Sequence, residues 1–282
     1  MVPFFMKLCF IKRNNNILKI PSYPVVQAKR IGAKRVNSMI MRTVITIFLV
    51  EAAFLVCGCG SSNPAQALER RLVAYYPFNG NADDESGRGN DGRVVGATPV
   101  ENRFGDDSAA FHFDGTGDHI EVPHSEALNI EGSLSISVWI KPEGLAAWKC
   151  IVFRGDEISG EDPYYIRIYD SNTLDYGVQT MVDSGGTIIN MFDFSMTQIV
   201  NNRWSHLAMI FENRQELSLY INGAPVHSRQ TRLDNRGADR NMKLFIGSAA
   251  GGQHFSGDID DVRIYSRALS ANEVAALSEE KD

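Results

Sequence analysis

Three carboxylates stand close together near the end of the chain, in the stretch FSGDIDDVRIYSRALSANEV (255–274). Asp258, Asp260 and Asp261 lead into an apolar run, where such groups can act as catalytic acid and base, as metal ligands or as structural partners. A retaining glycosidase needs two carboxyl groups about 5 Å apart, one ionised and one protonated. GDIDDVRIY has only aspartates and no glutamate in register, so the stretch does not predict a glycosidase.

The spacing of these aspartates also predicts where they point. In an unbroken strand Asp258 and Asp260 alternate with Val262 and Ile264, and all four side chains face the core. An unpaired carboxylate in a core is strongly unfavourable. We therefore expect both aspartates to have partners.

Other catalytic signatures are weak or missing in the sequence. GRGNDG (87–92) satisfies the G-x-G-x-x-G pattern, but no apolar strand leads into it and no helical pattern follows. It is interpreted as a tight loop with a permissive backbone. The six histidines form no H-E-x-x-H motif, and no G-x-S-x-G motif is present. We therefore expect a protein without catalytic activity.

The first 58 residues differ in charge from the rest of the chain. They hold nine Lys and Arg and one acid, Glu51, whereas the remaining 19 basic and 33 acidic residues give the rest a net charge of -14. An acidic body disfavours binding to nucleic acid, which needs clustered Lys and Arg to neutralise phosphates. No nucleic-acid partner is expected.

The segment from Met39, MIMRTVITIFLVEAAFLVCGCGSS, is typical of an export signal. Its apolar run, 44–56, is shorter than the roughly 20 residues that span a bilayer. Val56-Cys57-Gly58-Cys59 resembles the bacterial lipobox, which implies lipidation of Cys59 and a membrane lipoprotein of the cell envelope. A plain cleaved signal or a single membrane anchor is the alternative. Residues 1–38 are interpreted as an upstream extension behind a misassigned start codon, 39–58 as the signal peptide and 59–71 as a polar tether.

From Leu72 onward, short apolar runs alternate with turn signals, and helical periodicity is missing until the C-terminus. SLSISVWIK alternates strictly, with serines on one face and apolar side chains on the other, which predicts a half-buried antiparallel strand. The apolar positions are Leu134, Ile136, Val138 and Ile140.

A hairpin and a helix complete the predicted elements. Asn222-Gly223 joins LSLYI to APVHS and predicts a two-residue hairpin turn. LSANEVAALSEE predicts a short helix with Ser270 as its N-cap and Glu273 at the capping-box position. Many strands without intervening helices predict an all-β fold, a two-sheet antiparallel jelly-roll sandwich with a short C-terminal helix.

The resemblance to a known family rests on the order of several motifs. These are YYPFNGNADDESGRGNDG, RFGDDSAAFHFDGTGDHIEVP, SLSISVWIKP, RWSHLAMIF with LSLYINGAPV, and FSGDIDDVRIYSRALSANEV. Together they resemble the laminin-G-like/concanavalin A-like domain in its bacterial form, over 72–282. The resemblance implies a jelly roll of about a dozen strands, often with calcium near one rim and a carbohydrate- or protein-binding role.

A structural calcium site follows from this resemblance. Calcium binds six to eight oxygen ligands and accepts carboxylates at a rim where loops converge. Asp84 in NADDESG and Asp118 in FDGTGDHIEV stand in other acidic, glycine-rich loops of the family pattern. With Asp258 and Asp260 they are the predicted calcium ligands. The alternative is that each caps backbone N–H groups or pairs with an arginine of VRIYSR.

Ligand contacts are predicted from the aromatic residues. Sugar-binding sandwiches stack sugar rings on exposed aromatics and bind hydroxyls with polar side chains. Trp148, Tyr164, Tyr165 and Arg236 are the predicted ligand-binding residues, and Arg236 lies in the arginine-rich stretch SRQTRLDNRGADRN (228–241). Two further tyrosines are candidates, Tyr169 and Tyr176. The alternative is that the aromatics are core residues and the arginines belong to a solvated loop.

The sequence thus predicts an envelope-anchored, non-catalytic binding module, stabilised by calcium, whose partner is a glycan or an extracellular protein. The first alternative is an adhesion or structural protein without sugar affinity. The second is a polysaccharide-active enzyme.

Overall fold

The computed structural model describes residues 64–144, 146–155, 162–170, 173–182, 187–195, 199–235, 241–250 and 252–281. All of them belong to the second of the chain's two units, Ser61–Asp282. The predicted signal peptide, Cys59 and Arg236 lie outside the described residues. Among the described helices, none has the length and apolar character needed to cross a membrane.

Strands make up most of the regular secondary structure of the described chain. The strands are β1 (Leu72–Tyr76), β2 (Arg93–Val95), β3 (Thr98–Val100), β4 (Ala110–Asp114), β5 (His119–Val122), β6 (Leu134–Pro142), β7 (Lys149–Arg154), β8 (Tyr164–Asp170), β9 (Thr173–Val182), β10 (Thr187–Ser195), β11 (Ser205–Glu212), β12 (Glu216–Ile221), β13 (Ala224–Gln230), β14 (Leu244–Ile246) and β15 (Ser256–Tyr265). The helices are α1 (Pro64–Glu69), a 3-10 turn (Glu126–Leu128) and α2 (Ala271–Glu279).

The strands form two antiparallel sheets. The eight-stranded sheet has the order β13-β12-β11-β6-β15-β4-β3, and β1 also pairs with β15. The seven-stranded sheet has the order β10-β9-β8-β7-β14-β5-β2. The predicted all-β, two-sheet jelly roll with a short C-terminal helix is confirmed.

Alternating side chains of both sheets meet in one core. Leu134, Ile136, Val138 and Ile140 of β6 are fully buried in it, as their alternation predicted. The serines of β6 point to the outer face of the eight-stranded sheet, yet Ser135 is also fully buried. Something must therefore cover that outer face.

β15 is not the unbroken strand that the sequence prediction assumed. Asp260 pairs with Trp139 of β6 and Arg263 pairs with Ser137, so three steps along β15 match two along β6. The extra residue forms a β-bulge. Asp261 lies in it with a φ of +49°, in the left-handed region.

The bulge changes which side chains face the core. Ile259, Val262 and Ile264 lie in the core, whereas Asp258 and Asp260 alternate with Ile259 and point to the outer face. The prediction that the two aspartates share a face with Val262 and Ile264 is wrong, because one residue is inserted between the pairs. The expectation of partners holds, since both carboxylates are nevertheless buried.

Helix α2 covers part of the outer face of the eight-stranded sheet. The Ser270 hydroxyl accepts a hydrogen bond from the Glu273 N–H, and the Glu273 carboxylate accepts one from the Ser270 N–H, which confirms the predicted capping box. Val274 and Leu277 are buried against Tyr265 of β15. The helix therefore encloses a second, smaller apolar cluster.

Helix α1 lies within the segment interpreted as a polar tether. Its Leu68 packs against the cluster beneath α2. The Arg267 guanidinium donates to the carbonyl oxygens of Arg70 at 2.8 Å and Ala67 at 2.7 Å. These contacts fix the start of the described chain to the sandwich.

The turns behave as their residue types predict. Asn222 and Gly223 join β12 to β13 with φ values of +50° and +77°, which confirms the predicted hairpin. Gly87 and Gly89 of GRGNDG also have positive φ, in agreement with a tight loop.

Candidate functional site

A cavity of about 270 Å³ lies over β8, β9 and β10 of the seven-stranded sheet. This volume is slightly below the range of about 300–1,000 Å³ that is usual for ligand pockets. Its aromatic lining consists of Trp148, Tyr165, Tyr169, Phe192 and Phe194. Its polar lining includes Asp162, Arg167, Asp175 and Gln179.

An arginine and an aspartate pair across two strands at this cavity. Arg167 of β8 lies directly opposite Asp175 of β9, and its Nε and Nη2 both lie 2.6 Å from Asp175 Oδ2. The Tyr165 hydroxyl donates to Asp175 Oδ1 at 3.3 Å. The Asp175 side chain is only 1% exposed. Burial raises the pKa of its carboxyl, and the Arg167 charge opposes that rise.

Aromatic rings enclose the Arg167 guanidinium. It lies 4.7 Å from the Trp148 ring centroid and 4.6 Å from that of Tyr165, within range of cation–π attraction. The ion pair and the rings therefore hold one another in position.

A glycine separates two of the aromatic residues that line the cavity. Gly177 stands between Tyr165 of β8 and Phe192 of β10. A Cβ at this position would lie 2.9 Å from the Met191 carbonyl oxygen and 3.0 Å from Phe192 Cβ. Glycine inside a strand marks such a close approach. Gly177 lets the backbone of Phe192 approach β9 closely. It also leaves the space between the Tyr165 and Phe192 rings without an intervening side chain.

The outer part of the cavity is a continuous aromatic surface. Trp148 is 44% exposed and Phe192 is 41% exposed. Tyr169 packs edge-on against Trp148 with ring centroids 4.8 Å apart, and its ring lies tilted against Phe194 with centroids 4.5 Å apart. Phe194 in turn contacts Phe192 at 5.7 Å. Exposed aromatic rings in contact with one another beside a cavity make this surface a candidate binding site.

The structure brings two of the predicted ligand-binding residues together here. Trp148 and Tyr165 both line the cavity. Tyr164 does not, because it precedes Tyr165 on the same strand and points to the opposite face. Its ring is buried in the core and its hydroxyl donates to the Leu128 carbonyl oxygen at 3.2 Å. Arg236 lies outside the described residues.

Sequence reasoning missed eight of the eleven described lining residues, among them Arg167, Asp175, Phe192 and Phe194. The strand period carried a signal for Arg167. In YYIRIYD, the side chains of Tyr165, Arg167 and Tyr169 alternate with buried isoleucines.

The carboxylates of GDIDDVRIY lie on the other sheet, in a closed network. Arg103, from the loop between β3 and β4, contacts Asp260 Oδ2 at 2.6 Å and Asp261 Oδ2 at 2.7 Å. Its guanidinium lies 4.7 Å from the Trp139 ring centroid. None of these three charged side chains is more than 8% exposed. Burial, followed by the charge of Asp261, raises the pKa of Asp260, and Arg103 opposes the rise.

A buried histidine completes this network. His206 Nε2 lies 2.8 Å from the Ser137 hydroxyl, and its ring centroid lies 5.3 Å from that of Trp139. Burial and then the charges of Arg263 and Arg103 lower the pKa of His206 to about 3. The imidazole is therefore neutral at physiological pH.

The remaining predicted calcium ligands also have protein partners. Asp258 contacts His112 Nδ1 at 2.7 Å and accepts a hydrogen bond from Lys141 Nζ at 2.8 Å. Asp84 accepts backbone N–H bonds that close its own loop. Asp118 accepts one from Asp114.

The four aspartates lie in different loops and in β15. Each is bonded to different groups, and among the described residues no group of three or more His, Cys, Asp or Glu side chains is placed to hold a metal ion. Calcium binding by Asp84, Asp118, Asp258 and Asp260 stays a prediction.

Comparison with known proteins places this geometry in context. A family model described as "Concanavalin A-like lectin/glucanases superfamily" matches residues 114–275, more than half of the chain. No curated protein sequence matches.

Solved structures of similar fold include the binding domain of Paraclostridial Mosquitocidal Protein 1, with a TM-score of 0.58, 24% identity and coverage of 75% of this chain and 52% of that chain. Domain 4 of AbnA, an extracellular arabinanase from Geobacillus stearothermophilus solved with arabinotriose, has a TM-score of 0.57, 24% identity and coverage of 74% and 98%. The binding domain of botulinum neurotoxin DC with SialylT has a TM-score of 0.56, 16% identity and coverage of 75% and 52%. The chain thus spans about half of the two toxin structures, and at these identities the likeness shows the fold.

Proposed function

Since this chain belongs to the concanavalin A-like lectin/glucanases superfamily, we propose that it is a non-catalytic binding module that recognises carbohydrate at the cavity over β8, β9 and β10. The observation that carries the proposal is the exposed aromatic surface of Trp148 and Phe192 beside the Arg167–Asp175 pair. Aromatic rings contact the apolar faces of sugars, and a few fixed polar groups orient the hydroxyls.

The similar structures support the class of ligand. Domain 4 of the arabinanase was solved with arabinotriose and one neurotoxin binding domain with SialylT. Another neurotoxin structure contains rat synaptotagmin II, which supports a protein partner as the second candidate.

Two features support a role without catalysis. Asp258, Asp260 and Asp261 are each at most 8% exposed and are paired with Arg103 or Lys141, which disfavours their contact with a substrate. At the cavity, Asp175 is held by Arg167 and Tyr165, so its carboxylate is not free to act as a base. Release of reducing ends from a panel of polysaccharides tests the enzyme alternative, and sustained release would contradict a purely binding role.

A glycan array probed with the full-length protein tests the main proposal. We expect binding to a defined set of glycans, and loss of that binding in Trp148→Ala with an unchanged circular-dichroism spectrum. If no glycan binds, the proposal fails, and an adhesion or structural protein without sugar affinity becomes the better explanation.

We further propose that the chain is exported and held at the cell envelope by a lipid on Cys59. The support is the sequence from Met39 to Cys59 alone. Wild-type cells grown with radiolabelled palmitate should yield a labelled protein in the membrane fraction, and Cys59→Ala should be unlabelled. A labelled Cys59→Ala variant would contradict the assignment of this cysteine.

A structural calcium ion is the remaining proposal, and it rests on the resemblance to the family. Thermal melting in millimolar calcium, compared with melting in chelator, is the test. A rise in the midpoint supports a bound ion, and an unchanged midpoint contradicts it.

A further inference from the structure

We infer that the cavity over β8, β9 and β10 selects uncharged sugars and discriminates against those that carry a carboxylate, such as uronic and sialic acids. The inference rests on the proposed carbohydrate binding and adds the charge class of the ligand. It is drawn from the contacts that the Arg167 guanidinium already makes with other groups of the protein.

The Arg167 guanidinium at the cavity is already paired with protein groups. Arg167 is the one basic side chain among the described lining residues. Both its Nε and its Nη2 lie 2.6 Å from Asp175 Oδ2, while Trp148 and Tyr165 stand against the guanidinium. A sugar carboxylate that took over the Nε and Nη2 donors of Arg167 would leave Asp175 buried without its partner, which is strongly unfavourable. One that paired with Nη1 would share the guanidinium with Asp175 and be repelled by its charge.

The charge balance of the lining also opposes an anion. Asp175 matches the single base of the described lining, Arg167, and the whole chain has a net charge of -6. Like charges in a partly buried site repel more strongly than in water. An uncharged sugar avoids this cost and still gains the contact with the aromatic rings. Of the sugars named for similar structures, arabinotriose is of the favoured kind and SialylT is not.

Polysaccharide pairs that differ only in their carboxyl groups test the inference. The full-length protein is titrated with polygalacturonate and hyaluronan, with the carboxyl-reduced form of each, and with neutral arabinan and dextran, at low and at physiological salt. We expect the protein to bind at least one neutral polymer at least about tenfold more tightly than any acidic polymer. We expect the affinity for the neutral polymer to depend little on salt. Tighter binding of an acidic polymer, weakened by salt, would overturn the inference and leave carbohydrate binding intact. Binding to none of the polymers would count against the proposed function as well.

One substitution tests the physical cause. Asp175→Asn keeps the shape and the acceptor for Tyr165 but leaves the Arg167 charge uncompensated. We expect the preference for neutral over acidic polymers to fall about tenfold. Asp258→Asn makes the same change beside Lys141 on the other sheet and should leave the preference as it is. An unchanged preference in folded Asp175→Asn would overturn the assigned cause, and the wild-type comparison decides the selectivity itself even if this variant does not fold.

Discussion

On the eight-stranded sheet Arg103 pairs with Asp260, and on the seven-stranded sheet Arg167 pairs with Asp175. Both pairs lie on an outer face, both have a closest distance of 2.6 Å, and each guanidinium lies 4.7 Å from a tryptophan ring. The two aspartates are at most 2% exposed. The chemistry of the two pairs is therefore nearly the same.

The surroundings differ. The loop that carries Arg103 lies over its sheet and α2 covers the neighbouring strands, so the whole network is enclosed. Over the other sheet Trp148 and Phe192 remain more than 40% exposed beside a cavity. An ion pair next to a tryptophan is thus no mark of function by itself, and the elements that cover it decide whether a ligand can reach it.

The largest expected effect comes from breaking the enclosed pair. Arg103→Ala leaves Asp260 buried without its cation, while Asp261 keeps Arg263 at 3.5 Å. The change should lower the free energy of unfolding by about 3–5 kcal/mol. Urea denaturation measures it. Arg93→Ala is the control, because Arg93 is 67% exposed in its pair with Glu121 and should cost less than about 1 kcal/mol. Similar losses in the two variants would show that the Arg103 network does not stabilise the fold.

The buried His206 should make the stability of the protein sensitive to acid, whereas Asp260, whose pKa is raised, acts in the opposite sense. The pKa of His206 is about 3 in the folded state and about 6.5 in the unfolded chain, so between these values the unfolded chain binds a proton that the folded protein does not. Its contribution to stability is complete above pH 6.5 and is lost as the pH falls, by about 1.4 kcal/mol per unit.

Urea midpoints near neutral pH and near about pH 5 measure this loss. His206→Gln has no titrating group at this position and should lose less stability over the same range. Equal slopes for the variant and the wild type would mean that His206 does not carry the acid sensitivity.

Exposed phenylalanines on the two sheets give a matched comparison of binding. Phe192 is 41% exposed at the cavity, and Phe104 is 44% exposed on the covering loop of the other sheet. Phe192→Ala should weaken glycan binding about tenfold, or about 1.4 kcal/mol, because it removes part of the aromatic surface. Phe104→Ala should leave affinity as it is. Equal losses measured by titration calorimetry would place the ligand elsewhere.

Sequence reasoning recovered the fold because the fold depends on local patterns. The alternation of Leu134 to Ile140, the Asn222-Gly223 turn and the capping box of Ser270 each depend on a few neighbouring residues, and all three are confirmed. The order of the motifs supplied the family, which the match to residues 114–275 shows.

The site was only partly predictable, because it depends on pairing between strands. Because one residue is inserted at Asp261, Asp258 and Asp260 point to the face opposite to the one predicted. No local sequence pattern predicts a bulge. Alternation alone would have separated Tyr164 from Tyr165. By contrast, the contact between Arg167 and Asp175 depends on the register of β8 and β9, which could not be predicted from the sequence.

The smallest expected effect concerns the helix that covers the eight-stranded sheet. Ser270→Ala removes the cap of α2 and should lower the free energy of unfolding by about 1 kcal/mol, while glycan binding on the other sheet stays the same. Ser278→Ala is the control, since its hydroxyl bonds to the Ala275 carbonyl oxygen inside the same helix and alanine favours the helix. If Ser270→Ala instead weakened glycan binding, the two outer faces would be coupled. The eight-stranded sheet would then influence ligand binding on the seven-stranded sheet.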